Sequence, residues 1–185
     1  SSINKNSKAY EVLTNLSSTK NNIILDFNYT ASTRLILKQC GLSDEDIDNR
    51  LIKVHGEASN NDIIFGVEDN AGIKKEHVFL RKAYNIKYKA LNFSELYDRI
   101  KSVAIFGHSL GETDHTYFNK LFQESCMYNK FSTNNNKEFW LFYYKENGYH
   151  CMMQQLDSLT HNSLTSFRQY NRVNFINTDK EKVFI

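Results

Sequence analysis

The sequence predicts an α/β domain with a Rossmann-like, mainly parallel sheet flanked by helices. Short apolar runs of strand length, such as Ile23–Leu25, Leu51–Val54 and Val103–Phe106, alternate with segments whose apolar residues recur at helical spacing. Those runs end in polar or glycine-bearing turns, as strands of such a sheet do at their carboxyl ends. The 185 residues, 41% hydrophobic and 14% aromatic, suffice for the core of one ordinary domain spanning 1–185.

Each element follows from local pattern. With no proline, 7 glycines and 22 asparagines, asparagine carries most of the punctuation. Residues 7–18 place Ala9, Val12, Leu13 and Leu16 on one helical face, and Asn21-Asn22 end that pattern. Ile23–Tyr29 reads as a buried strand, and Ala31–Gln39 as a helix with Leu35 and Ile36 on one side, ending near Gly41. Ser43 and Asp46 match a capping pattern that opens a short acidic helix. Leu51–Val54 and Ile63–Phe65 read as strands leading to Gly56 and Gly66. Glu76–Ala90 and Phe93–Ile100 read as helices, and Ser102–Phe106 as a strand. Thr113 or Asp114 caps a helix reaching Met127, with Phe118, Leu121, Phe122 and Ser125 inward. Ser132–Asn136 reads as a loop, and Phe139–Tyr144 as a central strand, apolar on both faces. His150–Tyr170 reads as one long helix before a last strand at Val173–Ile176.

Composition narrows the function classes. Lys and Arg number 23 against 21 Asp and Glu, a net charge of +2 that does not indicate nucleic acid. The basic stretch from Lys74 to Lys89 reads as a solvated helix face. Apolar runs are too short to span a membrane, and no leader-like segment opens the chain. Cys40, Cys126 and Cys151 lie far apart, which fits a reduced, cytoplasmic protein. His55, His108 and His115 match no zinc spacing, so no metal is expected.

Three strand ends gather polar residues: Asp26–Thr30, Val54–Glu57 and Gly107–Asp114. Gly107-His108-Ser109-Leu110-Gly111 also satisfies the G-x-S-x-G pattern, which admits a serine hydrolase with Ser109 as nucleophile. An acid and a histidine must then follow: Asp114 with His150 or His161, or Asp157 with His161.

The strings Phe27–Thr30, Val54–Gly56, Ile64–Gly66 and Gly107–Asp114 follow one another in an order and spacing that resemble the AbiH family, named for bacteriophage abortive infection. Through a further likeness of that family to sirtuin-like domains, the resemblance implies a site that binds or cleaves NAD or a related nucleotide as ligand or substrate, with no prosthetic group. It implies His55 and Asn28 as catalytic residues, and Thr30, Gly56, Gly107, Ser109 and Gly111 as nucleotide contacts. Thr113 and Asp114 fall at the helix cap or site rim. A non-catalytic nucleotide sensor or interaction module of the same family is the alternative. Such domains begin with a strand and a glycine turn that cradles phosphate, and no glycine precedes Asn28. The expectation is therefore a domain lacking its first strand–helix unit, the C-terminal part of a longer protein. A preceding segment or another chain, as in an oligomer, would complete the pocket.

Overall fold

In the computed structural model, residues 3–64, 66–67, 71–84, 99–127 and 137–180 are described. The chain divides into two units, Ser1–Ala90 with Val183–Ile185, and Leu91–Lys182. Each is built on a parallel sheet with helices, as the alternation of strands and helices predicts.

In the first unit, helix α1 (Lys8–Ser17) starts where the Ser7 hydroxyl accepts the Tyr10 backbone N–H at 3.2 Å. Strand β1 (Ile24–Asp26) is shorter than expected: the Asn28 backbone N–H turns back to Asp26 Oδ1 at 3.0 Å, ending the strand in a tight side-chain turn. Helices α2 (Ser32–Gln39) and α3 (Asp44–Arg50) then cross to β2 (Leu51–Lys53), which pairs in parallel with β1, Leu25 beside Ile52. A parallel pair needs such a crossover. The expected cap of α3 is present, with Asp46 N–H donating to Ser43 Oγ at 3.0 Å. Leu13, Ile36, Leu37, Ile47 and Leu51 form the core between these elements. Burying each such side chain contributes about 1.5–3 kcal/mol.

Two expectations fail in this unit. Ile63 and Ile64 form no strand, because the loop from Gly56 folds on itself and the Ile64 N–H donates to the His55 carbonyl at 2.9 Å; Phe65 lies outside the described residues. The helix expected over Glu76–Ala90 is absent from its described part, which holds 3-10 turns at Lys75–Leu80 and Lys82–Tyr84. Between them Arg81 is extended and bridges Val67, with Val67 N–H donating to Leu80 O and Lys82 N–H to Val67 O, both at 2.9 Å. Lys82 is buried there, so the basic stretch is not one solvated face. Residues 85–90, most of the Phe93–Ile100 segment and the Ser132–Asn136 loop lie outside the described residues.

In the second unit, β3 (Ser102–Ile105), β4 (Glu138–Tyr143) and β5 (Arg172–Asn177) form a parallel sheet with β4 at its centre. Helix α4 (His115–Ser125) buries Phe118, Leu121, Phe122 and Ser125, the four residues its periodicity marks. The predicted long helix is two, α5 (Lys145–Leu159) and α6 (Leu164–Tyr170). The break sits at His161 and Asn162, both left-handed with φ of 50° and 62°, a conformation no right-handed helix contains. Phe122, Phe139 and Phe167, all fully buried, pack with ring centroids 4.7–5.6 Å apart and tie α4 and α6 to the centre of the sheet. Among the described residues no helix is long and apolar enough to cross a membrane.

Candidate functional site

The residues singled out by sequence fall into two groups, one in each unit. In the first unit the turn after β1 is organised by a charge pair that sequence reasoning missed. Asp26, nearly inaccessible, accepts Lys53 Nζ at 2.9 Å. The same ammonium donates to the carbonyls of Asn28 and of Thr30, the latter at 2.8 Å, so one cation holds three points of the turn. Asn28 Nδ2 also donates to Asp26 Oδ1 at 3.1 Å. One of the two N–H donors of the Asn28 amide is therefore used within the protein. Thr30 is exposed, and its hydroxyl meets Ser32 Oγ at 3.0 Å.

His55 follows β2 but is only 5% exposed. Phe27 meets its ring edge-on at 5.4 Å, and Tyr29 stacks over it at 6.0 Å. Gly56 has φ of 74°, and a Cβ there would stand 2.1 Å from the Asp62 carbonyl oxygen. Its glycine is thus required by close backbone approach within the loop. The next N–H, that of Glu57, donates to Asp62 Oδ1 at 2.6 Å.

In the second unit the Gly107–Asp114 turn leaves the carboxyl end of β3. Gly107 takes φ of 65° with open space around it. Leu110 takes φ of 54° yet is fully buried. The left-handed backbone costs a leucine about 1–2 kcal/mol, and burying its side chain contributes about 1.5–3 kcal/mol, so burial wins and the turn is anchored. That anchoring leaves Gly107 and Ser109 exposed on its outer side. Gly111, half-buried, lies close beneath the serine: a Cβ there would be 3.3 Å from Ser109 Oγ.

His108 holds this turn by both ring nitrogens. Leu110 N–H donates to Nδ1 at 2.9 Å, which leaves the proton of the neutral ring on Nε2, 3.3 Å from Asp114 Oδ2. Asp114 occupies the position before α4, but its side chain makes no capping bond and serves His108 instead. The cap expected there is corrected to a carboxylate on the turn's rim; Thr113, also exposed, lies in the intervening 3-10 turn Glu112–Asp114. His115 Nε2 lies 3.0 Å from Leu110 O and 2.8 Å from Gln155 Oε1, and as a shared donor it ties the turn to α5. A histidine one residue into a helix, four after a glycine, is the signal that could have found it.

The hydrolase geometry is not assembled. Ser109 is not among the residues with positive φ, whereas the G-x-S-x-G elbow strains its serine. No histidine bonds Ser109 among the described residues. Asp114 is engaged with His108, and His161, beyond the end of α5, contacts the Gln123 amide at 3.0 Å. Among the described residues no group of three His, Cys, Asp or Glu side chains is arranged to hold a metal.

The family profile described as bacteriophage abortive infection AbiH matches residues 1–144. The chain belongs to the AbiH family. The match runs from the start of the chain through β4 and takes in all three of the polar strand ends, which the AbiH resemblance had singled out. It places the protein, at the level of its family, in bacteriophage abortive infection. No curated protein and no solved structure matches the chain.

Proposed function

We propose that this AbiH protein acts in phage defence in the cytoplasm by recognising a nucleotide, NAD or a close relative, at the carboxyl edge of the sheet in its second unit. One observation carries the reading: His108 uses both ring nitrogens to hold a turn that presents Gly107 and Ser109 to solvent at the end of a parallel strand. Parallel sheets bind ligands at that edge. An exposed hydroxyl beside a left-handed glycine offers oxygen and backbone contacts to a ribose or phosphate.

Recognition without turnover is the form the geometry favours. Cleaving the nicotinamide–ribose bond through His55 and Asn28 requires a histidine open to a ribose hydroxyl or water. His55 is enclosed by Phe27 and Tyr29, and the Asn28 amide already donates to Asp26. Ser109, for its part, is hydrogen-bonded to no histidine among the described residues. The test is a calorimetric titration with NAD, paired with mass-spectrometric measurement of NAD consumption. Saturable binding without consumption supports the reading. Consumption that disappears in His55→Ala replaces it with the glycohydrolase reading, and covalent labelling of Ser109 by a fluorophosphonate replaces it with the hydrolase reading.

A further inference from the structure

Building on the nucleotide reading above, we infer that the groove at the carboxyl ends of β4 and β5 holds the phosphate and base of that nucleotide. The groove measures about 480 Å³. Tyr143 and Asn177, the last residues of the two strands, line it; Lys145, Tyr149 and His150 come from the first turns of α5, and Lys180 from the turn after β5. None of these residues is in the polar strand ends that the sequence singles out.

Its chemistry is that of a nucleoside phosphate site. Two ammonium groups, Lys145 and Lys180, share the groove with two carboxylates, Glu146 and Asp179. No ion pair joins any of the four among the described residues. Paired lysines suit a phosphate, and a carboxylate suits ribose hydroxyls. The Tyr149 ring is braced by Tyr143 at 5.2 Å and by Phe175 at 5.5 Å, which holds it as a fixed platform for a base. Lys145 adopts φ of 57°, a costly conformation for a residue with a Cβ, and its ammonium lies 4.9 Å from the Tyr144 ring centroid.

The groove lies on the same edge of the sheet as the turn assigned above. Ile105 pairs with Leu141, so two residues further on Gly107 leaves the sheet at the level of Tyr143. Along this edge Lys145 follows the strand next to that of Ser109, and Lys180 the strand after it.

The experiment titrates the whole chain calorimetrically with NAD, AMP, adenosine and inorganic phosphate. Two paired variants are compared with wild type: Lys145→Gln with Lys180→Gln, and Lys145→Gly with Lys180→Gln. The second keeps the left-handed residue unstrained, and thermal melts verify that both fold. The inference expects NAD and AMP to bind wild type, adenosine to bind more weakly than AMP, and both variants to lose roughly tenfold or more in AMP affinity. Unchanged AMP and NAD affinity in both variants, with Ser109→Ala weakening NAD, overturns the groove and leaves the nucleotide reading standing. Phosphate binding as tightly as AMP overturns the base contact. Failure of wild type to bind either NAD or AMP overturns both.

Discussion

At the scale of single residues, glycine positions that look alike in sequence carry different burdens. Gly56 combines a left-handed backbone with a Cβ position 2.1 Å from a backbone oxygen, whereas Gly107 is left-handed in open space. Gly56→Ala is therefore expected to cost about 3 kcal/mol or more, and Gly107→Ala only about 1 kcal/mol. Chemical denaturation of the two variants gives the comparison; equal losses would contradict the account. A second residue-scale prediction concerns acid. Lys38 at 2.8 Å, with Arg34 beside it, holds the exposed Asp44 carboxyl below its ordinary range. A depressed folded pKa adds stability that is present above the unfolded value and lost as pH falls through the folded one. Asp44→Asn should thus lower the melting temperature slightly at neutral pH and make no difference at strongly acid pH, where wild type has lost the same contribution. Local signals of this kind were legible in sequence: Ser43 and Asp46 sit three residues apart and cap α3 as read. The Asp26–Lys53 pair was not, because its partners stand 27 residues apart and only the parallel pairing of β1 with β2 makes them neighbours.

At the scale of elements, apolar periodicity located α1 and α4 and their inward faces, since one-sided burial writes itself into spacing. It located α2 as well but not its face: Leu35, read with Ile36, is exposed, and Leu37 is buried in its place. The α5–α6 break escaped because it is made by His161 and Asn162 in left-handed conformation and not by glycine or proline. The early start of α5 escaped because Gly148, a poor helix former, lies within it. Elements are also joined by side chains that no periodicity reveals. Arg50, the last residue of α3, donates to Leu16 O at 2.7 Å and Thr19 O at 2.8 Å, and to the Asn22 side chain at 2.9 Å. It adds a charged donor to the Leu16 carbonyl, which also accepts the Thr19 N–H and the Asn22 amide, and holds the Thr19 carbonyl just past the helix end. Arg50→Gln is expected to cost about 1–3 kcal/mol and to raise amide exchange over the last turn of α1 and residues 19–22. Exchange that rises equally throughout the first unit would show the loss to be global and contradict a capping role.

At the scale of the whole molecule, the alternation of strands and helices predicted parallel sheets, and the strands pair that way. The polar strand ends were legible because turns rich in polar residues and glycine interrupt apolar runs. Their internal engagement was not, since sequence shows which groups are present and not which bonds they have already formed. Asn28 and His108 are the cases in point: both carry the groups a ligand would want, and both hold their own turns. The β4–β5 groove was hidden for another reason, being assembled from residues 34 positions apart, Tyr143 and Asn177, that parallel register sets side by side. Abortive infection follows from family membership, and nucleotide recognition at the second unit's sheet edge is the central claim built on it. The most direct measurement is calorimetric titration of the intact chain with NAD while its concentration is followed by mass spectrometry. The account predicts saturable binding, weakened by Ser109→Ala, with NAD left intact; an absence of binding, or steady NAD consumption abolished by His55→Ala, would contradict it.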